Sequence, residues 1–468
     1  MDKNKRLYTV LCILTLSVFV LIFVQEKTTF IHVEKLAGVT FESEFSALTF
    51  EGYKDGSMQK SLEEYSRQHF GFREWALRLY NQYKWTFFKQ STNSHVALGK
   101  NGYLYETYVV LDQYQSLMTN IADDSIEVKN YFDGHAERLF KIQQILKEYG
   151  VYLFANVLPS KNEIYPEYLP AETTTVPPGI RAINYVPRKF DQLGLQYLDL
   201  NLLCKQIKDS VDYPLFPRTG THWSRIAAAH LTDTILSYME HLSGINLHDV
   251  RIGEMYEAKS MIPDDDLEQL MNLIFPIKPN KNYYSDLTLV PDPTAKKPKV
   301  IVIGDSFFWT LSYIWPLEEM FDYCHYWYYF STVYFDDQYF NVSQFDLLQQ
   351  MLSSDFIVLS YSAAQLYNFD RGFIPKALLA LCYDESKVDS VKNEIVAHIK
   401  NDSAWFHSIE QKSMKENTPI EDAIMSNAEY MLYSHPELYF EELATSEVPK
   451  CRNSRINSLL QAKQRLDE

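Results

Sequence analysis

Hydrophobic positions along this chain follow three patterns, and each predicts a different element. The first is an uncharged run over residues 7–24, preceded by Lys3, Lys5 and Arg6 and closed by Gln25, Glu26 and Lys27. About 18 residues rising ~1.5 Å each cover roughly 27 Å, enough for a hydrocarbon core. The second is the short apolar run, unbroken at 300–303 and 356–359 and interrupted by Asn156 at 151–157 and by Gln196 and Asp199 at 195–200. Such runs suit strands buried on both faces, the signature of a parallel sheet covered by helices. The third is helical spacing of apolar residues, at 61–89, 129–149, 181–192 and 225–242, with Gly150 closing one helix and Ser224 placed to cap another.

Helix followed by strand, repeated, predicts an α/β fold with a parallel sheet flanked by helices. Around it the chain divides into four parts. Residues 1–25 form a transmembrane anchor with a short cytoplasmic N-terminus, and 26–95 a membrane-proximal stalk with helices. Residues 96–382 form the main domain, and 383–468 a charged, strandless helical tail. Gly99, Lys100, Asn101 and Gly102 make a turn before Tyr103 and Leu104. Residues 173–179 form a loop with two prolines, 245–298 read as an insertion, and 291–298 as a linker rich in Pro and Lys. Asp264, Asp265 and Asp266 in that insertion fit the N-terminus of a helix through Leu270 better than a metal site. The aromatic stretch 326–330 fits a crowded, buried strand better than an open sugar platform.

Charge excludes one class of function. A formal net charge of −17 is wrong for a nucleic-acid binder, which needs a basic face. Basic residues before the apolar run should stay in the cytoplasm, so everything after residue 25 is expected outside. A cleaved signal peptide is the rival, but the run is long for one and no small-x-small site follows it. Cys12 lacks the small residues that precede a lipoprotein cysteine. Cys204, Cys324, Cys382 and Cys451 are scattered and select no bridge. No metal-ligand spacing appears, and no cofactor is implied.

The candidate chemistry sits beyond strand ends. Ser306 follows the 300–303 strand in Gly304-Asp305-Ser306 and precedes a predicted helix, whose free N–H groups could stabilise an oxyanion. Gly304 keeps that turn uncrowded. A serine nucleophile needs a base. Among 12 histidines, His222 stands out in Thr221-His222-Trp223-Ser224, a loop before a helix. The bland readings are a helix-capping Asp305 or Ser306, and a His222 stacked on Trp223.

Five segments in order carry a resemblance: His69-Phe70-Gly71-Phe72-Arg73; Gly99 through Tyr105; Pro159-Ser160-Lys161-Asn162-Glu163-Ile164-Tyr165-Pro166; Arg218 through Ser224; and Gly304-Asp305-Ser306-Phe307. Over residues 60–375 the chain resembles the SGNH-hydrolase-like proteins of the alginate O-acetylation type, the AlgX and AlgJ group. Histidine preceding serine is the permuted motif order of that group. The resemblance implies Ser306 as nucleophile and His222 as base, with Lys161 and Tyr165 on a loop near the site as candidate substrate contacts; Gly304 and Trp223 are further candidates for oxyanion or substrate contact. It implies a polysaccharide acceptor and a multispanning membrane acyltransferase as partner. An anchored domain outside a bacterial inner membrane suits that arrangement.

Two departures bear on mechanism. The family's acid stands two residues before the histidine, where this chain has Gly220. Asp212 or a backbone carbonyl could orient His222 instead; a slower Ser-His dyad could operate; or turnover could be lost. After the 356–359 strand stands Ser360-Tyr361-Ser362-Ala363-Ala364-Gln365, where the group often has a polar or acidic residue. The function expected is O-acetyl transfer to polysaccharide hydroxyls. The alternatives are a carbohydrate acetyl-esterase and an inactive polysaccharide-binding scaffold.

Overall fold

The structure is a computed structural model that describes residues 3–38, 49–114, 126–170, 181–335, 338–444, 448–450 and 453–467. The loop expected at 173–179 and Cys451 lie outside the described residues. Seven strands form the central sheet: β1 (Tyr152–Leu158), β2 (Tyr197–Asp199), β3 (Lys299–Gly304), β4 (Tyr323–Tyr328), β5 (Thr332–Phe335), β6 (Gln338–Asn341) and β7 (Phe356–Ser362). Their order across the sheet is β6-β5-β4-β3-β7-β1-β2. The pairs from β4 to β2 are parallel, and β5 and β6 add an antiparallel edge.

The apolar runs are continuous because successive side chains feed two cores. On β1, Leu153, Ala155 and Val157 join one core while Phe154 and Leu158 join the other. Ile301 and Ile303 against Val300 and Val302 repeat this on β3, as do Ile357 and Leu359 against Phe356 and Val358 on β7. Helices Ile126–Glu148, Ala182–Leu193 and Phe373–Cys382 cover the first face; Leu200–Ile207 and Arg225–Ser243 cover the second. Ser224 caps the last of these, its Oγ accepting from Ala227 N at 3.2 Å.

The C-terminal helices Glu385–Asn401, Ser403–Glu416, Ile420–Ser434 and Ile456–Asp467 extend the first core through Ile395, Ile399, Ile424, Leu432 and Ile456. Arg138 holds Glu437 through two bonds, and Lys141 Nζ donates to Leu443 O at 2.7 Å. The tail is thus a packing arm on one layer of the sandwich.

At the other end, helix Lys3–Thr28 leaves its apolar side chains exposed, and its span from Lys5 to Thr28 is long and apolar enough to cross a membrane. Helices Phe50–Asp55 and Ser57–Gln68 follow in the stalk, the second reaching into the stretch read as helical from residue 61. The Thr49 side chain starts the first by accepting from Gly52 N. Helix Arg73–Phe88 follows, then a hairpin of Val96–Leu98 and Leu104–Glu106 joined across the expected glycine turn. Residues 245–298 make two small antiparallel ribbons, Val250–Ile252 with Leu287–Leu289 and Tyr256–Lys259 with Lys281–Tyr284, and between the latter strands the short helix Asp266–Leu270.

Candidate active site

The strand order reverses between β1, which leads outward to β2, and β3, which leads outward to β4. In parallel sheets such a switch opens a crevice at the carboxyl ends of the strands. Ser306 lies there, two residues beyond β3. Gly304 is required by backbone approach: a Cβ there would stand 2.2 Å from Ser360 O on β7. The expected helix begins later than the sequence suggests, at Phe308, and runs only to Ser312. Its dipole therefore adds little at Ser306. The Ser306 N–H, by contrast, meets no acceptor among the described residues, which leaves it available to a developing oxyanion.

Asp305 fixes the turn. It is buried, and its Oδ2 accepts Ser362 N at 2.8 Å and Ser362 Oγ at 2.6 Å, while Oδ1 accepts Phe307 N at 3.0 Å. Burial raises its carboxyl pKa, against those three bonds. The segment after β7 that departs from the family pattern thus spends Ser362 on bracing Asp305.

His222 comes to Ser306 from the second layer. Trp223, fully buried, donates from Nε1 to Phe307 O at 3.0 Å and ties the histidine loop to the serine turn. His222 Nε2 lies 2.9 Å from Ser306 Oγ, and its ring packs against Phe307 at 4.8 Å. The bland stacking of His222 on Trp223 is not what the side chains do.

His222 Nδ1 faces Asp266 Oδ2 at 2.5 Å. This corrects the expectation for Asp212, which is exposed and bears on His230 instead. Asp266 opens its short helix, as the acidic triplet suggested. Its Oδ1 accepts Thr221 N at 2.8 Å and Leu267 N at 2.7 Å, leaving Oδ2 for the imidazole. Burial lowers the His222 pKa, but the charge and hydrogen bond of Asp266 prevail, with Glu106 and Asp305 adding to them, and hold it above its ordinary value.

Gly220 explains how an acid arrives from the insertion. A Cβ at Gly220 would stand 2.7 Å from Asp264 O and 2.8 Å from Pro263 O. The insertion backbone occupies the place where the family pattern puts an aspartate, and it brings Asp266 two residues later. The available clue was the coincidence of a missing acid at 220 and an acidic triplet nearby in the insertion.

Lys161 and Tyr165 support the loop from below. Lys161 is 2% exposed, and its Nζ donates to Leu104 O (2.7 Å), Gly220 O (2.7 Å) and Arg218 O (3.1 Å). Burial pushes its ammonium down to about 7. Tyr165 is also buried; its hydroxyl accepts Leu215 N at 3.1 Å, and its carbonyl accepts Tyr105 OH at 2.6 Å. Both side chains are committed to the protein, contrary to the expected substrate contacts. No three His, Cys, Asp or Glu side chains gather as metal donors among the described residues.

Residues 96–313 match the family described as SGNH hydrolase-like domain, acetyltransferase AlgX. No curated protein matches the chain. Among solved structures, the O-acetyltransferase domain of Pseudomonas putida AlgJ is similar at 16% identity and TM-score 0.38, covering 60% of this chain and 98% of its own. Pseudomonas aeruginosa AlgX is similar at 13% identity and TM-score 0.37, covering 61% and 69% respectively. Bacillus cereus PatB1 with a sulfonyl adduct is similar at 13% identity and TM-score 0.36, covering 59% and 99%.

Proposed function

We propose that this chain, whose residues 96–313 match the family described as SGNH hydrolase-like domain, acetyltransferase AlgX, is a cell-envelope O-acetyltransferase acting through an acyl-enzyme on Ser306. Ser306 Oγ attacks the carbonyl carbon of an acetyl donor while His222 Nε2 takes the hydroxyl proton. The oxyanion of the tetrahedral intermediate turns toward the Ser306 N–H. Collapse expels the donor's leaving group, which takes the proton from His222, and leaves acetyl-Ser306. A polysaccharide hydroxyl then repeats the sequence: His222 accepts its proton, the hydroxyl oxygen attacks the ester, and Ser306 departs protonated. Asp266 holds the imidazole in one tautomer and stabilises its charged form in both halves.

The observation that supports this reading is the unbroken line Ser306 Oγ, His222 Nε2, His222 Nδ1, Asp266 Oδ2, at 2.9 and 2.5 Å. Against an inactive scaffold speaks Asp266, whose carboxylate meets the imidazole although Gly220 stands at the family's acid position. The N-terminal helix serves as a single-pass anchor that holds the domain outside a bacterial inner membrane, beside a multispanning acyltransferase that supplies acetyl groups.

Incubation with an activated acetyl ester, followed by mass spectrometry, tests the chemistry. An acetyl group on the Ser306 peptide is expected, and none in Ser306→Ala. An unmodified Ser306 would defeat the proposal. Adding acceptor glycan separates transfer from hydrolysis, since a transferase moves the acetyl group to sugar faster than to water.

A further inference from the structure

The insertion that presents Asp266 has a second attachment, to the segment that joins the N-terminal apolar helix to the sheet. A helix end leaves carbonyls without intrahelical partners, and after Asp266–Leu270 side-chain amides from that segment take them. Asn93 Nδ2 donates to Leu270 O at 2.9 Å, and Asn81 Nδ2 to Met271 O at 2.9 Å. Thr92 Oγ1 donates to Asn81 Oδ1 at 2.6 Å, which sets that amide the right way round. Gln82 Oε1 accepts the N–H groups of Ile274 and Phe275, at 3.1 and 2.9 Å.

The attachment continues toward the membrane helix. Ala37 N donates to Asn272 Oδ1 at 2.8 Å, and Asn272 Nδ2 returns a bond to Ala37 O at 3.1 Å. The Arg78 guanidinium donates to Glu34 O and Lys35 O at 2.9 Å each. Trp85 packs against a small core containing Leu267, Met271 and Ile277. Sheet-side bonds hold the near end of the same short helix, Thr221 N to Asp266 Oδ1 and Glu268 N to Thr219 O. The acid's carrier is thus a five-residue helix gripped from both sides.

We propose that the membrane-proximal helix Arg73–Phe88 is a positioning element for the triad: Asn81 and Gln82 fix the 266–275 segment where Asp266 orients His222, so the site is complete only while this helix is docked. Neither residue touches the reacting atoms. The consequence for rate rests on the Ser306 mechanism above; the positioning of Asp266 against His222 does not.

The test uses the full chain in detergent. Asn81→Asp keeps the shape but sets a carboxylate against the Met271 carbonyl; Asn81→Ala with Gln82→Ala removes both grips. Either change should lower kcat by roughly 10–100-fold with KM little altered, as expected when a triad member is misplaced by about an ångström. In an Asp266→Ala background the same changes should cost almost nothing further, because the acid they position is gone. Losses of equal size in both backgrounds would mean general loosening and would overturn the proposal. A second readout, titration of His222 by NMR, needs no turnover. In the parent the imidazole, faced by Asp266, Glu106 and Asp305, should titrate above its ordinary value, and in Asn81→Asp lower. An unchanged titration also overturns the proposal. A parent that never acylates Ser306 but shows the shifted titration would sink the proposed activity and leave the positioning role standing.

Discussion

Gly220 and Asp264 meet backbone to backbone, so closely that a single added carbon on the first would stand 2.7 Å from the carbonyl oxygen of the second. An aspartate at 220 and the insertion in its present seat are mutually exclusive. The carboxylate that meets the His222 ring comes instead from Asp266, on a separate segment.

Gly220→Ala should therefore destabilise the fold by about 1–3 kcal/mol, the usual cost of overpacking, measured by urea unfolding. Gly220→Asp should fail to restore activity to Asp266→Ala, because the new carboxylate must first displace the 263–264 backbone. Near-parental activity in that double variant would show that the loop yields and that the exclusion is not steric.

The pH profile should carry the mark of Asp266. His222 works as a base only when neutral. Burial lowers its pKa, but Asp266 first, then Glu106 and Asp305, raise it above the ordinary ~6.5. kcat/KM should rise with pH through that raised value. In Asp266→Asn the largest raising influence is gone, so the limb should move to lower pH while the plateau falls roughly 10²–10⁴-fold. Stability follows the same shift with a definite sign. A raised folded-state pKa stabilises the protein fully below ~6.5, and the contribution fades as pH rises through the folded value. Thermal melts across that range should show this slope in the parent and lose it in Asp266→Asn.

Lys161 offers a contrasting prediction. Its ammonium satisfies three carbonyls on the strand and loop below His222. Lys161→Met keeps most of the volume and leaves those acceptors unpaired, which should cost about 3 kcal/mol or more. Denaturant midpoints measure this directly. A variant as stable as the parent, changed only in KM for acceptor, would return Lys161 to the substrate-contact role that its sequence motif suggests.

What the sequence made legible is what local chemistry encodes. The runs at 151–157, 300–303 and 356–359 are strands because their alternate side chains each find a core. Ser224 caps its helix because a hydroxyl at that position reaches the free N–H of Ala227. Gly304-Asp305-Ser306 and Thr221-His222-Trp223 each mark a strand end or loop where a side chain can reach a crevice. The contact of Asp266 with His222 spans 44 positions and depends on how an insertion docks; periodicity carries no trace of such a contact. The roles of Lys161 and Tyr165 were hidden for another reason. A lysine that reaches into a site and one that braces it from below have the same neighbours in sequence, and only burial tells them apart.

Where the acid rides on an insertion, the smallest stretch that folds is not the smallest stretch that works. Trimming residues 245–298 to a short loop, as one might to obtain a tidier domain for crystallisation or display, would leave one core of the sheet untouched and take from the other only Leu247 among its buried members. Such a product would pass every check of solubility and secondary structure while His222 had lost its contact with Asp266.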